Sequence, residues 1–164
     1  MLPDRTLATG EFVVKRIGSA LVVLGVTTVF GPAFANDIGT EQEARAMLDR
    51  AIAALKADET AALTAFTAGE PGFKDRDLYV FCVGPDGVVT ANGGHPDHIG
   101  LDTHTEIDAQ GKNIGEAILA AAEPDETNIA TYMYPSAGSS EPALKSALIS
   151  QVEDQICGVG YYGQ

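Results

Sequence analysis

The chain has 164 residues and a formal charge of −13, from 10 Lys and Arg against 23 Asp and Glu. That length holds one ordinary domain, and without a basic block the charge excludes electrostatic binding to nucleic acid or an anionic membrane surface. A hydrophobic content of 45% excludes disorder, and two distant cysteines exclude four-cysteine zinc sites, iron–sulfur clusters and a CxxCH haem attachment.

The first 35 residues read as an address. Lys15 and Arg16 precede a mostly apolar run from Ile17 to Phe30, and Ala33-Phe34-Ala35 supplies the small-x-small pattern that signal peptidase accepts. The run is shorter than the roughly 20 apolar residues of a membrane-spanning helix. Asp4 and Glu11 depart from the basic start of a secretory signal, and a start at Val13 or Val14 gives a compact signal beginning near Lys15. The expected division is therefore a signal peptide over 1–35 and one domain over 36–164, placed in the periplasm or outside the cell.

Thr40-Glu41-Gln42-Glu43 reads as a capping box that opens a helix. Ala44, Met47, Leu48, Ala51, Ile52 and Leu55 then keep the spacing of one helix face, and Asp58 opens further turns through Leu63 and Phe66. Gly69, Pro71 and Gly72 end the helical region. Leu78 to Val83 is apolar on both parities, the mark of a central strand, and Gly84-Pro85-Asp86-Gly87 turns it into a hairpin partner at Val88 to Ala91. Residues 92–112 form a long Gly-, His- and Asp-rich loop, and ordered loops of that length tend to carry function. A short helix follows Asn113, and strands are expected at Ile129 to Pro135, Leu144 to Val152 and Ile156 to Tyr162. Helix, two strands, loop with helix and three strands together give an α+β fold, an antiparallel sheet with helices against it.

At this point the residues resemble a known family. Asp77-Leu78-Tyr79-Val80-Phe81, the Asp86-Gly87 turn, Ala91-Asn92, Pro96 and Gly100, Asp108 with Gly111-Lys112, Tyr132-x-Tyr134-Pro135 and Gly158-Val159-Gly160-Tyr161 are similar in order and spacing to a single Cache domain. The resemblance covers about residues 40–162. It implies a PAS-like extracellular sensor module: a five-stranded antiparallel sheet with a long N-terminal helix packed behind it. It also implies that a small carboxylate, amino acid or similar metabolite is held between the sheet and the loop-and-helix crossover. Gln155 and Ala147 stand where the family often carries aromatic residues. The chain stops two residues after the last strand, which reads as a free-standing form lacking its own output domain. Such a form acts with a membrane-bound signalling partner or as a homodimer, with the helix from Glu41 to Phe66 as the contact surface.

Within a PAS-like sheet the first and last strands are central neighbours, so the resemblance places Cys82 beside Cys157. A disulfide suits an oxidising compartment; two buried free thiols are the alternative, and a redox pair lacks CxxC spacing. Tyr79, Tyr132, Tyr134 and Lys145 are ligand-binding candidates, because tyrosines wall a small polar ligand and a lysine pairs with its carboxylate. The tyrosines equally suit a core, since alternate strand residues face opposite sides. His95 and His98 join the ligand set from the loop. With His104 they also form the alternative, a periplasmic metal-binding protein. No catalytic motif is present, so an enzyme is not expected, and no cofactor is assigned. A structural protein whose own side chains fill the sheet's hollow is the third reading.

Overall fold

Thr40 begins the first helix, α1 (Glu41–Ala57), in the way the capping box requires. Its hydroxyl accepts the Glu43 amide at 3.3 Å and the Glu43 carboxylate accepts the Thr40 amide at 2.8 Å. The structure, a computed structural model, describes residues 38–136 and 138–163. The expected signal over 1–35 lies outside the described residues. No helix among the described residues is long and apolar enough to cross a membrane.

The helix expected to run from Glu41 to Phe66 is two helices. At Asp58 the backbone is extended, and the Asp58 carboxylate accepts the Ala61 amide at 3.0 Å. A side chain that satisfies that amide starts a new helix rather than continuing the old one, and α2 (Glu59–Ala68) follows. Ala44, Met47, Leu48, Ala51 and Leu55 of α1 and Ala62 and Phe66 of α2 are buried against one face of the sheet.

The sheet contains β1 (Lys74–Asp75), β2 (Leu78–Val83), β3 (Val89–Asn92), β4 (Asn128–Pro135), β5 (Pro142–Val152) and β6 (Gln155–Tyr162). Their order is β1-β2-β6-β5-β4, with β3 also paired to β2, and every pairing is antiparallel. The five expected strands are present within two residues, and the two-residue β1 adds a sixth.

Both faces of this sheet are covered, which explains strands that are apolar on both parities. On the helix side Leu78, Val80, Cys82, Leu148, Cys157 and Val159 pack beneath α1 and α2. On the other side Phe81, Val83, Ala130, Tyr132, Ala147 and Ile149 meet Ile114 and Ile118 of α3 (Ile114–Ala121). β6 is buried along its whole length. Cys82 and Cys157 are register partners on β2 and β6 and form a buried disulfide, the pairing the resemblance implied.

Residues 92–112 cross over this second face through two short 3-10 turns, Pro96–His98 and Thr103–Thr105. Asp108 pins the crossover to the sheet. One of its carboxylate oxygens accepts the Gln110 and Lys112 amides at 2.8 and 2.9 Å, and the other accepts the Met133 amide of β4 at 2.9 Å. The Met133 amide first, then that of Lys112, holds the Asp108 carboxyl below the ordinary carboxylate range.

Candidate ligand-binding site

Antiparallel register puts Lys145 of β5 opposite Tyr132 of β4 and Tyr162 of β6. Tyr134 lies two residues along β4 from Tyr132, and Tyr79 approaches from β2. Lys145 is 2% exposed. Its ammonium donates to the Tyr79 hydroxyl at 3.0 Å. It also lies 4.5, 4.9 and 5.3 Å from the ring centres of Tyr79, Tyr134 and Tyr162, close enough for each ring face to attract the charge.

Two glycines make room for this cage. A Cβ on Gly160 would strike the end of the Lys145 side chain, and one on Gly94 would lie 2.5 Å from the Tyr79 ring. Glycine inside a strand often marks such a close approach. Burial lowers the Lys145 ammonium to about 8, with Asp77 pulling in the opposite direction. Burial raises Tyr134 to about 12 and pushes Tyr79, Tyr132 and Tyr162 further up, so all four phenols stay protonated at neutral pH.

The crossover supplies the cover. The buried Asn92 side chain accepts the amides of Gly94 and His95 at 3.0 and 2.8 Å and fixes the turn that carries His95. The His95 ring meets Tyr79 and Tyr134 edge-on at 5.9 and 5.8 Å and stacks on His98 at 4.9 Å. Burial first, then the His98 and Lys145 charges, hold His95 below the usual histidine range. His98 Nδ1 lies 3.6 Å from a Glu106 carboxylate oxygen.

Two adjoining cavities meet at Tyr79, Tyr134 and Lys145. The inner one, about 40 Å³ between the sheet and α3, is lined by Tyr132, His98 and Glu106 among others. The outer one, about 530 Å³, is lined by Asp77, His95, Pro135, Ser136 and Tyr162 among others. The outer volume falls in the range of small-molecule pockets; the inner one holds little more than ordered water. The six ligand-binding candidates, Tyr79, His95, His98, Tyr132, Tyr134 and Lys145, each line one cavity or both.

The three-histidine metal set is corrected. Among the described residues the cluster with metal-ligand chemistry is His95, Asp97 and His98, whose ligand atoms lie within 4.8 Å of one another. His104 stands outside it, because Asp102 accepts from its backbone amide at 2.9 Å and meets its ring Nδ1 at 2.8 Å. Sequence reasoning missed Asp77, Glu106, Gly94 and Gly160. The Gly158-x-Gly160 spacing inside an otherwise apolar strand was the available signal for the last of these.

The family model described as "Single Cache domain 2" matches residues 34–163. Among solved structures, a methyl-accepting chemotaxis protein from Vibrio parahaemolyticus RIMD 2210633 superposes with a TM-score of 0.60 at 18% identity, covering 74% of this chain and 86% of that one. A periplasmic sensor domain of a chemotaxis protein gives 0.58 at 20% identity, over 75% of this chain and 90% of that one. A structure described as the basis for carboxylic acid recognition by a Cache chemosensory domain gives 0.58 at 20% identity, covering 75% and 88%. At these identities the likeness is one of fold. No curated protein matches the chain significantly.

Proposed function

The chain belongs to the single Cache domain 2 family, and from that premise we propose that it is an exported receptor module that holds a small carboxylate against Lys145. The observation that carries this reading is the buried ammonium on the wall of the 530 Å³ cavity. An ammonium has three donors, and the Tyr79 hydroxyl is its one hydrogen-bond partner among the described residues. Ring faces offset part of its burial but accept no strong hydrogen bond. A carboxylate supplies both the charge and the acceptors that such a group needs. The surrounding chain is strongly acidic, so an anion has reason to bind only where a cation is concentrated. The three tyrosines add flat apolar walls, and His95 closes the outer side.

This is binding chemistry, with polar groups converging on a ligand's charge. The occupied state would pass to a membrane-bound signalling partner or a second copy through α1, in the periplasm or outside the cell. A solved neighbour of the same fold is described by its carboxylic acid recognition, which supports the ligand class.

The test is calorimetry on the purified protein with two- to six-carbon mono- and dicarboxylates. A ligand at about 100 times its dissociation constant also adds about 2.7 kcal/mol of stability, several degrees of melting temperature. Lys145→Met, which keeps much of the side chain's volume, should abolish binding while leaving the melt of the unliganded protein unchanged or higher. If the wild-type protein binds no carboxylate, or Lys145→Met binds as well as wild type, the reading is wrong.

A further inference from the structure

His95, Pro96, Asp97 and His98 form one tight turn of the crossover. The His98 amide donates to the His95 carbonyl at 3.0 Å and closes the 3-10 turn Pro96–His98. Residues three apart eclipse one another in that geometry, which is why the two imidazoles stack with ring centres 4.9 Å apart. Pro96 stiffens the backbone between them, and the Asn92 side chain holds the His95 amide at 2.8 Å. The ligand atoms of His95, Asp97 and His98 lie within 4.8 Å of one another. A zinc ion at about 2.0–2.2 Å from each donor holds them roughly 3–3.5 Å apart, so side-chain rotations bring the set together on a backbone already in place.

The other acidic groups of the crossover are engaged differently. Asp102 and Asp108 accept backbone amides, and Asp102 also meets the His104 ring. The Asp97 carboxylate is exposed and makes no hydrogen bond or ion pair among the described residues. Glu106 lies 3.6 Å from His98 Nδ1. An imidazole held by a carboxylate through one nitrogen presents the other to a metal, the usual arrangement at metal-bound histidines. The net charge of −13 favours a cation at such a cluster.

We propose that His95, Asp97 and His98 bind a divalent transition metal of the zinc class, a second ligand distinct from the carboxylate, with Glu106 orienting His98. Two imidazoles and one carboxylate suit Zn²⁺ or Ni²⁺, whereas Mg²⁺ and Ca²⁺ take oxygen ligands. His95 lines the outer cavity and His98 the inner one, so a single ion clamps the part of the crossover that covers both.

Calorimetry on the purified protein, stripped with chelator and carrying no histidine tag, tests this with the metals alone. Zn²⁺ and Ni²⁺ should each bind one per chain, and Mg²⁺ and Ca²⁺ should not compete. Asp97→Ala, at an exposed position, should weaken Zn²⁺ by at least the roughly tenfold to hundredfold that loss of a supporting partner causes. His98→Ala should abolish binding, and His104→Ala should leave it unchanged. In hydrogen exchange, Zn²⁺ should slow the amides of residues 95–101 in the wild type and not in Asp97→Ala. Binding that leaves exchange unchanged would keep the site and remove the clamp. An absence of Zn²⁺ binding would overturn the proposal, as would binding that survives both Asp97→Ala and His98→Ala, or binding that His104→Ala removes. None of these results bears on the carboxylate reading, because the titrations contain no carboxylate.

Discussion

Lys145 sits where it does because Gly160 beside it has no side chain. The ammonium's titration then gives the site a signature in pH. Burial has lowered it to about 8, against about 10.4 for an unfolded lysine. A bound carboxylate favours the charged form, so carboxylate affinity should be flat up to pH 8. Above it affinity should fall by about tenfold per unit, since each bound ligand must then recapture a proton. The unliganded protein should behave oppositely. Between about pH 8 and 10.4 the unfolded lysine keeps a proton that the folded one has lost, so stability rises with pH through that window. The tyrosines around the ammonium keep their protons through the start of this range, and His95 is already neutral there. Calorimetry at half-unit steps from pH 7 to 9.5, with melts alongside, measures both slopes. Affinity that stays level to pH 9.5 would mean that Lys145 does not hold the carboxylate. The residue types of this site were legible in the sequence, because tyrosine, histidine and lysine declare their chemistry. Asp77 was not, because its place on the cavity wall comes only with the three-dimensional fold.

Among the elements, the crossover is held to the sheet through the three backbone amides on Asp108. Asp108→Ala leaves those amides without their acceptor and should loosen residues 95–112 without unfolding β5 and β6. Hydrogen exchange is the measurement: crossover amides should exchange faster while the amides of the central strands stay protected. Unchanged exchange over 95–112 would show that the turns hold themselves. Acid should mimic the substitution. The carboxyl is depressed in the folded state, so its contribution is complete above the unfolded value of about 3.9 and is lost as pH falls through the lower folded one. Element boundaries were mostly readable, because capping residues and strand parity are local signals. The exceptions have physical reasons. Asp58 opens further turns as read, but as the cap of α2 it also ends α1, so the Glu41–Phe66 stretch is two helices rather than one contact surface. β1 is two residues long, too short to show any period.

Across the whole molecule, the order of helices and strands was legible because each face of the sheet imposes its own apolar period. The two cavities were not, since their walls come from all six strands, α3 and a crossover, brought together only by the tertiary fold. The Cys82–Cys157 bridge ties β2 to β6 across a separation of 75 residues, which in the chain-entropy treatment stabilises the fold by roughly 4 kcal/mol. Cys82→Ala with Cys157→Ala should lower the melting temperature by roughly 10–20 °C. Its effect on binding should be far smaller, for a reason of parity. Both cysteines face α1 and α2 in the helix-side core, whereas Tyr79 and Phe81, their near neighbours on β2, face the cavities. The β2–β6 ladder also continues on both sides of the bridge, from Val80 with Val159 to Val83 with Ile156, so register survives without the covalent link. Measured at 15 °C, where the double variant remains folded, carboxylate affinity should match wild type within about threefold, a difference of under 1 kcal/mol. A loss of tenfold or more in a fully folded variant would mean that the bridge, rather than the ladder, sets the spacing between Tyr79 and Lys145.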